Sequence, residues 1–317
     1  MKKFMIIYIV IGLCLSSLIL IFKDRDTMVL EHQLINEAYT LDTSSLWPSL
    51  SLSNYPIAIR NNQKEYVFFQ HDMTKRKPFF PVIVATAYQV NDRIEVFMPS
   101  KKTMENLGQL MEGVSSNQAL SLIEGFAFHQ QTLSNDQYMA MIFHEALHAY
   151  QIEYYEHELF NQLPEGFDER KTLQLISTID QSEFLKSFYL SEYQILEDAI
   201  TNPDLIPQFL LKRQARIDQL HLIFTEQEVE HILFLENYYE KIEGTARYLE
   251  SQVLFTLGNL TLYNQYKDKI DEYQLGKEKY YRSGMGVCML LDHQSTSWKA
   301  HVFSNTQPLD QLLITHE

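Results

Sequence analysis

Five consecutive residues, His144-Glu145-Ala146-Leu147-His148, place two imidazoles four positions apart with a carboxylate directly after the first. On an α-helix, residues four apart share a face, so His144 and His148 can each aim a ring nitrogen at one ion. Glu145 then lies beside that ion, where a carboxylate can take a proton from a metal-activated water and later pass it to a leaving amine. At this His and Glu content, His-Glu-x-x-His arises by chance about 0.03 times in such a chain. Coincidence is therefore a weak competitor. The plainer alternative is that both histidines only pack or hydrogen-bond within a helical bundle.

A zinc site that does chemistry usually has three protein ligands and leaves a fourth position open, so HEALH needs a partner. The metzincin continuation is excluded, because Gln151 stands at its glycine position and Tyr154 at its histidine position. Glu243, in Ile242-Glu243-Gly244-Thr245-Ala246-Arg247-Tyr248, is the preferred third ligand. The small residues after it allow a helix to come close to its neighbour. Glu197, in Ile195-Leu196-Glu197-Asp198-Ala199, is the runner-up. Glu197 or Asp198 can alternatively hydrogen-bond a ligand histidine. An oxyanion also needs a donor, for which Tyr281 is preferred over Tyr280, Tyr248 and Arg247. The ordinary alternative for each tyrosine is a place in the core. The two cysteines, Cys14 and Cys288, offer neither a disulfide framework nor a Cys-based zinc site. The remaining histidines lack ligand spacing.

HEALH followed by Glu243-Gly244-Thr245-Ala246-Arg247-Tyr248-Leu249-Glu250 resembles the zincin superfamily, and within it the gluzincin-like zinc peptidases. The resemblance rests on these two short motifs. It implies that His144, His148 and Glu243 hold Zn2+ and that Glu145 is the general base. It also implies a peptide or protein substrate, aligned along the edge strand of a sheet above the active-site helix, which the strands between Phe80 and Met98 would match. The 95 positions from His148 to Glu243 exceed the interval in thermolysin-like members.

The elements that must position these residues fall into two stretches. Short β-like runs come first, at Ile57 to Arg60, Tyr66 to Gln70, Phe80 to Val90 and Arg93 to Met98, the last two joined by Asn91-Asp92. They predict a small, mainly antiparallel sheet. Helical spacing follows from Asn117 to His129 and then through the HEALH segment, which Ser134 and Gln137 open as a capping pair. Further helices are expected at Asp168 to Phe188, Glu192 to Thr201, Leu205 to Leu222, Thr225 to Leu257, Leu262 to Tyr273 and Lys277 to His293. With only 10 Gly and 9 Pro, the expected class is a helix-rich α+β fold. By the resemblance it is zincin-like, with the zinc site between the HEALH helix and the Glu243 helix.

Phe4 to Phe22 is almost wholly apolar and follows Lys2 and Lys3. Its 19 residues, at about 1.5 Å each, make a helix of membrane-spanning length. The expected organisation is a transmembrane anchor over residues 1–23, a juxtamembrane connector over 24–50 and one metallopeptidase domain over 51–317. The basic N-terminal end places the short tail in the cytoplasm and the rest of the chain outside. The alternative is secretion after cleavage of a signal peptide. A net charge of −15 without Lys/Arg clusters argues against nucleic acid as a partner. The expected function is zinc-dependent peptide hydrolysis at the membrane. The competing class is a membrane-tethered binding or assembly protein whose zincin site is structural or silent.

Overall fold

A computed structural model describes residues 28–61, 64–112, 133–160 and 163–314. The expected membrane segment, Phe4 to Phe22, and the expected helix from Asn117 to His129 lie outside the described residues. Among the described residues, no helix is long and apolar enough to cross a membrane. The fold is helix-rich α+β with one small mixed sheet. The contacts of the described residues gather into two compact units, one holding those up to Ser45 and from Ser49 to Glu153, the other Leu46–Pro48 and those from Tyr154 onward.

The first unit begins with helix α1, Val29–Thr40, inside the stretch expected to be a connector. Its core contribution is brief: Leu34, Ile35 and Ala38 are buried, and the Tyr39 hydroxyl donates to the Phe68 carbonyl at 3.3 Å. Five strands follow, β1 (Ile57–Arg60), β2 (Glu65–Phe69), β3 (Asp72–Arg76), β4 (Thr86–Val90) and β5 (Arg93–Pro99). They lie in the order β3-β2-β1-β5-β4. The β1–β5 pairing is parallel and the other three are antiparallel, so the sheet is mixed and, as expected, mainly antiparallel. The expected run from Phe80 becomes a strand only at Thr86; ahead of it, the Arg60 guanidinium donates to the Phe80 and Val82 carbonyls at 2.6 and 2.5 Å.

Helix α2, Lys101–Glu112, leaves β5 under two caps. The Thr103 amide donates to Ser100 Oγ at 3.2 Å, and the Lys101 amide donates to Glu31 Oε1 at 3.2 Å. These satisfy donors that a helix start leaves without intrahelical partners. Helix α3, Asn135–Phe160, carries HEALH. Its entry is the expected capping pair: the Ser134 amide donates to Gln137 Oε1 and the Gln137 amide to Ser134 Oγ, both at 3.0 Å. One turn in, the Tyr138 hydroxyl donates to the Pro99 carbonyl at 2.9 Å and fastens the helix to the end of β5. Phe143, Ala146 and Leu147 are fully buried around the motif.

The second unit is helical. Its elements are α4 (Glu169–Gln181), α5 (Glu183–Thr201), α6 (Ile206–Ile223), α7 (Glu226–Tyr239), a π turn (Glu240–Gly244), α8 (Thr245–Thr256), α9 (Leu260–Lys267) and α10 (Glu278–Gln294). The expected helix from Asp168 to Phe188 is broken at Ser182, whose side chain accepts the Leu185 amide and starts α5. The Thr225–Glu228 capping box forms as expected. The long helix after it is interrupted by the π turn. A core of Ile176, Ile179, Tyr189, Tyr193, Ile232 and Tyr280 joins α4, α5, α7 and α10.

Candidate metal centre

One turn of α3 brings His144 and His148 together, with ring centroids 4.8 Å apart and planes at 78°. Their Nε2 atoms are 3.1 Å apart. Two imidazole nitrogens bonded to one tetrahedral zinc at about 2.0–2.1 Å would be roughly 3.3 Å apart. The pair therefore fits a shared ion. His148 Nδ1 lies 2.8 Å from Gln151 Oε1. An amide oxygen can only accept, so this contact puts the ring proton on Nδ1 and makes Nε2, 3.1 Å from His144 Nε2, the unprotonated nitrogen. Glu145 is buried, with 8% of its surface exposed. Gln151 is a supporting residue that spacing alone did not single out. Its signal was its place three residues after His148, one turn along the same helix.

Glu243 sits in the π turn, where Glu240, Lys241, Ile242 and Gly244 are buried and Glu243 keeps partial exposure. His144 and His148 belong to the first unit and Glu243 to the second, and each carries a side-chain atom able to bind a metal. Two imidazoles and a carboxylate form a donor set suited to zinc. Glu197 is half-buried, and its Oε2 accepts the Asp271 amide at 3.1 Å. Burial first, and then a side-chain hydrogen bond with Asp271, raise its carboxyl above the ordinary range.

Tyr281 is buried in the second unit, its ring 5.7 Å from that of Tyr239. Tyr280 is also core, the Tyr248 hydroxyl donates to Asp292, and Arg247 pairs with Glu278 at 3.3 Å. His293 bonds the Ile200 carbonyl at 2.9 Å and His231 that of Glu165 at 3.2 Å, which gives both a structural partner. Cys288 is buried on α10, and that burial raises its thiol well above the ordinary value.

Behind the π turn lies a buried charge network that motif reading missed. Arg213 donates to Glu192 at 2.8 Å and bidentately to Glu240 at 3.0 and 2.7 Å. Arg216 donates to the other Glu192 oxygen at 2.5 Å and to Glu236 at 3.0 and 2.5 Å. The Ser283 hydroxyl adds a donor to Glu240 at 2.6 Å. The signal was the i,i+3 arginine pair and the i,i+4 glutamate pair, each on one helical face.

Burial pushes the Glu240 carboxyl up to about 7, against the opposing pull of Arg213. The folded chain thus holds a proton that the unfolded chain releases above its ordinary value of 4.5. This contribution to stability is complete below that ordinary value and is lost as pH rises through about 7. Glu240→Gln resembles the protonated side chain and lacks the titration. Urea unfolding between about pH 5 and pH 8 should show wild type losing stability relative to this variant. Parallel profiles would dismiss the assignment.

Comparison of the chain with family models, with curated proteins and with solved structures finds no match.

Proposed function

We propose that this protein is a zinc-dependent peptidase in which His144, His148 and Glu243 hold the metal and Glu145 moves the proton. The observation that carries the reading is the pair of Nε2 atoms 3.1 Å apart on one helical turn, with Gln151 fixing the His148 tautomer and Glu145 between the two ligands in sequence. The chemistry of the donor set, two imidazoles and one carboxylate, supports it.

Zinc at these residues would supply Lewis acidity to an attacking water and a scissile carbonyl. Glu145 accepts the proton of that water as its oxygen bonds to the carbonyl carbon. It then returns the proton to the amine as the carbon–nitrogen bond breaks. A largely buried carboxylate suits this exchange, because bulk water competes little for the proton. Tyr281 is the proposed donor to the oxyanion, by analogy with the tyrosines of similar sites. The proposed location is extracytoplasmic, with the chain held by its apolar N-terminal segment; Lys2 and Lys3 ahead of that segment support this orientation.

The test uses the full chain in detergent micelles. Elemental analysis should give about one zinc per chain. A quenched-fluorescence peptide library should be cleaved, a chelator should abolish cleavage, and added zinc should restore it. A chain that stays zinc-free after reconstitution, or one that is zinc-loaded and inert on every peptide, would overturn the reading.

A further inference from the structure

The second unit contains a device that sets where Glu243 points. In an uninterrupted α-helix, residues three apart share a face, so Glu243 would follow Glu240. Glu240 faces the buried Arg213 and Ser283. The π turn lets Glu243 depart from that face, because each residue of a π turn rotates by less than a residue of an α-helix does. Within the turn, Glu243 alone keeps partial exposure.

The turn is seated against α10 by the absence of two side chains. A Cβ on Gly284 would lie 2.4 Å from the Glu240 carbonyl oxygen and 2.7 Å from its Cα. A Cβ on Gly244 would lie 2.6 Å from the Gly284 Cα. Both contacts are with backbone, so neither can be relieved by rotating a side chain. Beside the crossing, Ser283 Oγ donates to Glu240 Oε1 at 2.6 Å, and Arg213 holds both oxygens of the same carboxylate. One end of the turn is thus locked by hydrogen bonds and the other by backbone contact.

We infer that Gly284 and Ser283 are positioning residues for the third metal ligand, acting through the π turn to hold the Glu243 carboxylate in place. This rests on the zinc-site reading. The measurement is zinc affinity of the full chain in detergent, read by competition with a chromophoric chelator. Circular dichroism and urea unfolding report the fold separately.

Gly284→Ala should weaken zinc binding by about 10- to 100-fold, the range seen when partners behind a metal ligand are removed. Ser283→Ala, which adds no bulk, should weaken it by about 10-fold with the helical spectrum retained. It decides the question if Gly284→Ala does not fold. Each variant is also made in a Glu243→Ala background, where it should add nothing to the loss because its route of action has gone. Wild-type affinity in folded Ser283→Ala and Gly284→Ala chains would overturn the inference while leaving the zinc site intact. An equal loss with and without Glu243 would also overturn it, by showing a merely structural role. A wild-type chain that binds no zinc would remove both the inference and the reading beneath it.

Discussion

Glu145→Gln should lower peptide hydrolysis by about 10²- to 10⁴-fold and leave about one zinc per chain. Glutamine matches glutamate in shape, so the variant preserves packing at a residue with only 8% of its surface exposed. It also leaves intact the His148–Gln151 contact that prepares a ligand nitrogen. What it removes is an oxygen able to take a proton from the attacking water. His148 Nδ1 cannot accept that proton instead, because it already carries the one it donates to Gln151, and His144 and His148 direct their Nε2 atoms toward each other. The loss should appear in kcat with little change in KM, because the carboxylate acts in the transition state more than in binding. Full turnover by a zinc-loaded Glu145→Gln chain would remove Glu145 from its role.

The HEALH segment was legible because its signals agree at each level. Ser134 and Gln137 are hydrogen-bonding residues at the spacing of a helix start, and both reciprocal bonds form. The two histidines repeat at the helical interval and meet at ring contact. The small residues after Glu243 were also readable as a site of close packing. Their partner was not. Gly244 was expected to bring Glu243 toward a metal, whereas its immediate contact is the Gly284 backbone of α10. Sequence shows that a backbone can approach closely, but not which element will approach it.

Other features were hidden for identifiable reasons. Strand β3 reads Asp-Met-Thr-Lys-Arg and is largely exposed, so it lacks the apolar alternation that marks a half-buried strand. Its hairpin turn places Gln70 and His71 at φ 50° and 70°, a backbone region for which Asn-Gly is the usual signal. By contrast, Asn91-Asp92 offered that signal, and β4 and β5 pair across it. Arg76 compensates for the polar edge by bridging Glu65 and Glu95, both at 2.5 Å. The buried network around Arg213 and Arg216 evaded notice for a related reason. Charged residues on helical faces usually lie in solvent, and only tertiary packing turns these into a core.

The ligand assignment has a graded consequence. His148→Ala and Glu243→Ala should each weaken zinc binding by more than about 10²-fold, because even partners behind a ligand contribute 10- to 100-fold. Gln151→Ala should fall in that lower range, since it frees the His148 ring without removing a donor atom. Glu197→Ala should bind zinc like wild type. Its carboxylate already accepts the Asp271 amide. The series is read by zinc competition, with unfolding curves confirming that each chain is folded. Retention of zinc by Glu243→Ala together with its loss in Glu197→Ala would exchange the two glutamates. Retention in both would direct the search for a third donor away from these helices. Wild-type affinity in Gln151→Ala would mean that the bond to His148 Nδ1 does not govern the ring nitrogen facing His144.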